Sequence, residues 1–132
     1  MTDTRVVRIR SQSDIHLAVH AVTTLATEIG MNHGASAAIS TAVSELVTNI
    51  VKYADFGHVK LQARKRRAQP GIEALVEDTG PGITDVEEAM TDHVSTGASL
   101  GLGLPGARRL VDEFEISSEP GVGTRIRVVK WG

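Results

Sequence analysis

The order of the predicted elements constrains the fold of this chain more than any other feature. A short strand over residues 5–10 is followed by two consecutive helices, over residues 15–29 and 35–54, with no strand between them. A hairpin of two strands, residues 58–64 and 72–76, comes next. Because strands and helices do not alternate, the chain does not have the pattern of a parallel βαβ sheet.

The second half of the chain contains two more predicted helices and a second strand pair. A short helix over 85–90 and a small, polar loop over 93–99 precede a helix over 107–114, with Pro105 in its first turn. Closing strands follow over 114–118 and 124–130. The whole order predicts a single domain, residues 1–132, of the α+β class: a two-layer sandwich with helices on one face of a mostly antiparallel mixed sheet.

Composition excludes several classes of function. The 132 residues carry a net charge of −2 and only one Trp, one Tyr and two Phe, which disfavours binding to nucleic acid or to an anionic membrane. There is no cysteine, so disulfides, thiolate metal sites and cysteine nucleophiles are absent. The sequence shows neither a membrane span of roughly 20 apolar residues nor a signal peptide. We therefore expect a cytoplasmic protein.

Three glycines just before the predicted helix over 107–114, Gly101, Gly103 and Gly106, have the G-x-G-x-x-G spacing of a dinucleotide-binding turn. That turn needs a preceding strand and an acidic residue about 20 positions further on, whereas here a polar loop precedes and a turn follows. No G-K-[ST] sequence exists for a phosphate loop of the Walker type. Two interpretations stay open: backbone that approaches an anion at a helix start, or a tight helix entry without a ligand.

The helix over 35–54 carries a polar stripe beside its apolar one. Glu45, Asn49 and Lys52 fall within an arc of roughly 60° at the helical period, away from the apolar residues. A solvated surface would produce the same pattern. Two further polar residues stand at strand ends: Asp78 before the turn TGPG, and Thr124 at the start of the last strand.

Together these segments resemble the four nucleotide-binding boxes of the GHKL (Bergerat-fold) ATPases, the superfamily of gyrases, heat-shock chaperones, histidine kinases and mismatch-repair ATPases. The boxes are ELVTN at 45–49, DTGPG at 78–82, GLGL at 101–104 and GT at 123–124. Their order and the short chain look most like the bacterial switch serine kinases and the related anti-sigma-factor kinases. One short motif would be weak evidence, but four in the same order are specific.

The resemblance implies a role for each matched residue. Glu45 would be the general base, Asn49 the Mg²⁺ ligand, and Asp78 the acceptor for the adenine amine, supported by Thr124. Gly80 and Gly82 would let the backbone approach the base. The backbone of Gly101, Leu102, Gly103 and Leu104 would surround the phosphates. Lys52 would neutralise phosphate charge and Tyr53 would pack on the base or ribose, although a solvated lysine and a core tyrosine are equally compatible with their positions.

The resemblance also implies an activity: ATP- and Mg²⁺-dependent phosphorylation of a serine or threonine in a STAS-domain protein, followed by release of the kinase to activate a PP2C-type phosphatase. Two alternatives remain. The chain could be an anti-sigma factor that sequesters a sigma factor and phosphorylates its antagonist, or a module that binds ATP without transferring phosphate. The short loop over 93–99 would serve as a lid, which suggests that a docked protein completes the site.

Overall fold

Five strands form one sheet in the order β1-β2-β3-β5-β4. The computed structural model describes residues 4–54, 56–83, 86, 90 and 103–132. Its elements are β1 (Thr4–Ile9), α1 (Gln12–Ile29), α2 (His33–Tyr53), β2 (Gly57–Arg66), β3 (Gln69–Asp78), α3 (Leu104–Leu110), β4 (Glu113–Glu119) and β5 (Gly123–Trp131). All four pairings between these strands are antiparallel. The α+β prediction is confirmed, and no parallel pair of the predicted mixed sheet occurs among the described strands.

The core lies between one face of the sheet and the helices. Alternate residues of the central strands, among them Val59, Leu61, Ala74, Val76 and Val128, are buried and belong to one apolar cluster with residues of all three helices. This is the period of two expected for a sheet with one covered face. The residues of the apolar stripe that the sequence indicates for α2 are at most 1% exposed: Ile39, Val43, Leu46, Val47 and Ile50.

The helix that follows the glycine segment is shorter and earlier than the predicted 107–114. It begins at Leu104, with Pro105 in its first turn as expected, and ends at Leu110. The backbone N–H of Asp112 already donates to the carbonyl of Val129 at 2.9 Å, and Phe114 pairs with Val128 in the sheet. Pairing with β5 therefore prevents the helix from continuing.

Two further predictions lie mostly outside the described residues. Of the predicted helix over 85–90, only Val86 and Met90 are described, and the Met90 N–H donates to the Val86 carbonyl at 3.0 Å, as in one helical turn. The predicted lid over 93–99 is not described. Among the helices described, none combines the length and apolar character needed to cross a membrane.

The face of the sheet away from the helices carries an ion-pair network centred on Glu73. Its side chain is 13% exposed and accepts hydrogen bonds from Arg127 and, at 2.8 Å, from Arg64. Arg127 also pairs with Glu113 and Glu115 on β4. Burial by itself would raise the pKa of Glu73, but the bonds from the two arginines outweigh it and lower this pKa. The network therefore ties β2, β3, β5 and β4 together.

We expect Glu73→Gln to lower the free energy of unfolding by about 1–3 kcal/mol at neutral pH, because the arginines lose a charged acceptor. A folded-state pKa below the ordinary value of 4.5 means that this stabilisation is present above pH 4.5 and is lost as the pH falls through the folded-state pKa. Urea unfolding of both proteins from pH 7 to pH 3 should show the difference shrinking with acidity. Glu28→Gln, in an exposed pair with Arg5, is the control and should cost under about 1 kcal/mol.

Candidate nucleotide-binding site

Asp78 and Thr124 are brought side by side by the sheet. Thr124 pairs with Asp78 on β3 and with Ser118 on β4, and Asp78 pairs with Gly57 on β2. The row lies on the helix-covered side, two residues beyond the buried pair of Val76 and Ile126. Directly opposed side chains in a sheet are about 5 Å apart at Cβ. The side chains of Ser118, Thr124 and Asp78 thus form a row of polar groups across the strand ends. The row stops at Gly57, because that residue has no side chain.

The turn after β3 presents the Asp78 carboxylate. Its Oδ1 accepts a hydrogen bond from the backbone N–H of Gly80 at 2.9 Å, which leaves the other carboxylate oxygen free of any bond to that turn. On the adjacent strand, Gly123 (φ 151°) lies so close to the Asp78 carbonyl that a β-carbon there would overlap it. Asp78 is therefore held by its own turn and by close backbone packing against β5.

Gly80 and Gly82 are needed for contacts within the chain. A β-carbon at Gly80 would lie 2.7 Å from the Ala54 β-carbon, at the end of α2, and one at Gly82 (φ 78°) would overlap the Glu119 carbonyl. The turn is thus wedged between α2 and the β4–β5 turn. Close approach of these two glycines to an adenine base stays a prediction.

The polar stripe of α2 connects the two ends of the site. Glu45 is exposed, Asn49 is half-buried and Tyr53 is 47% exposed. Tyr53 lies eight positions after Glu45 along the helix, which corresponds to a rise of about 12 Å. At one end, Gly103 lies against the Glu45 carboxylate, so that a β-carbon on this glycine would overlap it. At the other end, a β-carbon on Gly80 would lie 3.1 Å from the Tyr53 carbonyl oxygen. The stripe therefore runs from the glycine segment to the Asp78 turn.

The remaining candidate residues differ in how much of each is accessible to a ligand. Lys52 is exposed in the last turn of α2, where a cation also interacts favourably with the helix dipole. Leu104 is fully buried, so only its backbone is available to a ligand. Gly103 starts α3 in the left-handed conformation, at φ 66°. Gly101 and Leu102 lie outside the described residues, and their role stays a prediction.

Gly103→Ala tests whether a glycine is required beside the Glu45 carboxylate. A methyl group would overlap the Glu45 carboxylate, and the positive φ adds about 1–2 kcal/mol of strain. The resemblance implies that Glu45 is the general base, and a small displacement of a reacting group can cost up to about 100-fold, so on that interpretation we expect phosphoryl transfer to fall by roughly ten-fold or more. Gly106→Ala, with open space around it in the same helix, is the matched control. It should keep activity; equal rates for both variants would contradict the assignment.

The possible metal ligands of the site suit a magnesium ion that is bound jointly by the protein and by nucleotide phosphates. The described residues contain no group of three or more His, Cys, Asp and Glu side chains that could hold a metal ion by themselves. Mg²⁺ is usually bound through one or two protein oxygens, with substrate phosphates and water completing its shell. The Asn49 amide oxygen, on the same stripe as Glu45, has the chemistry of such a ligand, and its role stays a prediction.

Sequence reasoning missed Ser118. Its Oγ is 2.9 Å from the Thr124 hydroxyl, accepts the Ile83 N–H at 2.6 Å, and donates to the Gly123 carbonyl at 3.2 Å. The available signal was a polar residue at the end of an alternating series, because Phe114 and Ile116 precede it on the core-facing side of β4. Ser118 thus joins the turn after Asp78 to the strand that carries Thr124.

Comparisons with known proteins agree with this architecture. Residues 10–130 match the family model described as the histidine kinase-like ATPase domain. The chain is 41% identical over 131 residues to the serine/threonine-protein kinase RsbT of Bacillus subtilis (strain 168), covering 99% of this chain and 98% of that protein. It is 36% identical over 99 residues to the anti-sigma F factor of Caldanaerobacter subterraneus, covering 70% and 68% of the two chains.

A solved structure shows the same fold. The histidine kinase domain of the blue-light activated histidine kinase from Erythrobacter litoralis EL346 superposes with a TM-score of 0.54 at 19% identity, over 89% of this chain and 59% of that one. The match to the family model spans nearly all of the elements described above, and the similarity to RsbT extends over almost the full length of both chains. The chain belongs to the family of histidine kinase-like ATPase domains and, within it, to the protein serine/threonine kinases.

Proposed function

We propose that this protein is a partner-switching kinase that transfers the γ-phosphoryl group of ATP to a serine or threonine of a STAS-domain protein in the cytoplasm. After release, it would activate a PP2C-type phosphatase. The observation that carries the proposal is the placement of Glu45: its carboxylate contacts Gly103, at the far end of the α2 stripe from the Asp78 turn. An adenine bound at the Asp78 turn would therefore direct the phosphates of its nucleotide along α2 toward Glu45, the potential base.

At the adenine end, Asp78 supplies selectivity. An ionised carboxylate only accepts hydrogen bonds, so it matches the exocyclic amine of adenine and opposes the carbonyl that guanine has at that position. The bond from Gly80 fixes the carboxylate before a nucleotide arrives. Less ordering is then required on binding.

At the phosphate end, Glu45 acts as the general base. The substrate hydroxyl oxygen forms a bond to the γ-phosphorus while the bond from that phosphorus to the β,γ-bridging oxygen breaks, and ADP leaves. The hydroxyl proton passes to the Glu45 carboxylate. When bound, Mg²⁺ would neutralise phosphate charge, and Asn49 would hold it. Glu45 is exposed in the described structure, which gives a protein substrate access to it.

The similarity to anti-sigma F factors supports a second candidate. That relationship covers 70% of this chain, and a protein of this class would sequester a sigma factor and phosphorylate its antagonist. The two candidates share the chemistry at Glu45 and differ in the protein that is bound. A third possibility, a module that binds ATP without transfer, would make Glu45 dispensable.

Transfer of radiolabelled phosphate from ATP to candidate STAS proteins, with phosphosite mapping by mass spectrometry, tests the proposal. We expect one serine or threonine of a STAS protein to be labelled, and labelling to require Mg²⁺. Capture of a sigma factor by the ATP-loaded protein, without capture of a STAS protein, would favour the second candidate. Tight ATP binding without transfer to any candidate would favour the binding module. Because the lid predicted from the sequence over 93–99 would be short and would leave the partner to complete the site, hydrolysis without the partner should be slow.

A further inference from the structure

We infer that Ser118 sets the direction of the Thr124 hydroxyl and, through it, the preference of the site for adenine over 6-oxopurines. The inference rests on the proposed nucleotide site, in which the Asp78–Thr124 end receives the base. Ser118 is a positioning residue here, because it acts through Thr124.

Among the residues that the structure describes, three polar groups lie within hydrogen-bond distance of the Ser118 hydroxyl, and two of them have a fixed role in hydrogen bonding. The Ile83 N–H, 2.6 Å away, can only donate, and the Gly123 carbonyl, 3.2 Å away, can only accept. The third neighbour, the Thr124 hydroxyl at 2.9 Å, can do either. Ser118, Thr124 and Ile83 are all half-buried.

The hydrogen count fixes the direction of the third bond. A serine hydroxyl has one hydrogen and two lone pairs. Its hydrogen is directed to the Gly123 carbonyl, and one lone pair accepts from the Ile83 N–H. The other lone pair remains for Thr124, whose hydroxyl must then donate. This is the one arrangement in which all three contacts are hydrogen bonds. Thr124 has used its single hydrogen and presents only lone pairs to a ligand.

Two acceptors therefore stand next to each other in the sheet. Thr124 pairs directly with Asp78, and the ionised carboxylate also only accepts. The exocyclic amine of adenine has two hydrogens to donate, which suits a pair of acceptors. The 6-carbonyl of hypoxanthine or guanine in the same place would meet lone pairs from both residues. Through Thr124, Ser118 thereby adds a second acceptor to the selection for adenine that Asp78 would otherwise exert alone.

Ser118→Ala should weaken this selection. Without its partner, the Thr124 hydroxyl can rotate and donate its hydrogen to a carbonyl. We expect the ratio of the dissociation constants for ITP and ATP to fall by about three- to ten-fold, the usual effect of one hydrogen bond. A merely structural role of Ser118 would weaken both nucleotides equally and leave that ratio unchanged.

The experiment is isothermal titration of wild type, Ser118→Ala, Ser118→Thr and Ser117→Ala with ATP and with ITP, in Mg²⁺. Ser118→Thr keeps the hydroxyl and should retain the wild-type ratio. Ser117, the exposed neighbour on the opposite face of β4, provides the matched control, and its ratio should not change. Ser118→Ala in a Thr124→Val background should leave the ratio unaltered, because the effect passes through Thr124.

Thr124→Val tests the bond direction even if Ser118→Ala does not fold. If Thr124 only accepts, its loss weakens ATP and leaves ITP binding unchanged or improved; weaker ITP binding alone would overturn the inference. An unchanged ITP:ATP ratio in folded Ser118→Ala would also overturn it. Failure of the proposed site looks different, since wild type would then bind neither nucleotide or would not distinguish them.

Discussion

Glu45→Gln is expected to slow phosphoryl transfer to the protein substrate by about 10²- to 10⁴-fold, the usual contribution of a general base. Glutamine has nearly the same shape as glutamate but cannot take the substrate proton at neutral pH. Because Glu45 is exposed and its carboxylate faces Gly103, the fold and the adenine end should be unaffected. Single-turnover transfer measured at saturating ATP gives the rate, and titration calorimetry gives the affinity, which should be nearly unchanged.

Glu28→Gln is a suitable control, since that exposed carboxylate lies on α1 and pairs with Arg5. It should transfer phosphate at the wild-type rate. Full activity of Glu45→Gln would remove Glu45 from the mechanism and leave positioning and electrostatics as the source of catalysis. A large loss of ATP affinity in the same variant would instead indicate a structural or binding role for this carboxylate.

The common face of the candidate residues on α2 could be predicted because a helix is a local structure. The spacing of Glu45, Asn49 and Lys52 fixes their common face, and the neighbouring apolar residues, which the structure shows to be buried, fix how that face is turned. The start of α1 is likewise a local structure. Asp14 accepts hydrogen bonds from the backbone of Arg10 at 2.8 Å and Ser11 at 3.1 Å, as expected at a helix start.

The sheet part of the site could not be obtained from spacing alone. Asp78 and Thr124 are neighbours because β5 returns between β3 and β4. No local pattern specifies that insertion, so only the resemblance to the GHKL boxes linked the two residues in advance. The same long-range pairing explains the error at 107–114, where propensity favoured a helix but Phe114 joined the sheet. Ser118 was missed because its importance depends on contacts with Ile83, which follows the turn after β3, and with Thr124 on β5.

The motif also could not predict the contacts that the turn glycines make within the chain. The motif suggests that Gly80 and Gly82 are bare so that a base can approach. The structure shows that each also has a close neighbour within the chain, Ala54 and the Glu119 carbonyl respectively. A substitution at either glycine would therefore disturb the turn and the Asp78 carboxylate together. Loss of ATP binding in such a variant would not by itself identify a ligand contact.

Asp78→Asn is the change that tests the proposed adenine contact, and we expect it to weaken ATP binding by about 100-fold or more, as when a site built for one hydrogen-bonding pattern meets the opposite one. The asparagine oxygen can still accept from the Gly80 N–H, so the turn should be kept. Its amide nitrogen would then oppose the adenine amine, donor against donor. Equilibrium dialysis with labelled ATP measures the loss, and circular dichroism verifies the fold.

The neighbouring Glu77→Gln is the matched control, because Glu77 lies on the other face of β3 and pairs with His58 and Arg125. Its ATP affinity should remain near that of wild type.

Asp78→Asn should also differ in kind from Glu45→Gln: transfer at saturating ATP should recover toward the wild-type rate, since the adenine contact contributes to binding and the base to the chemical step. ITP, whose carbonyl suits an amide donor, should lose far less affinity than ATP. Equal losses for the two nucleotides would mean that Asp78 supports the fold of the site and does not read the base.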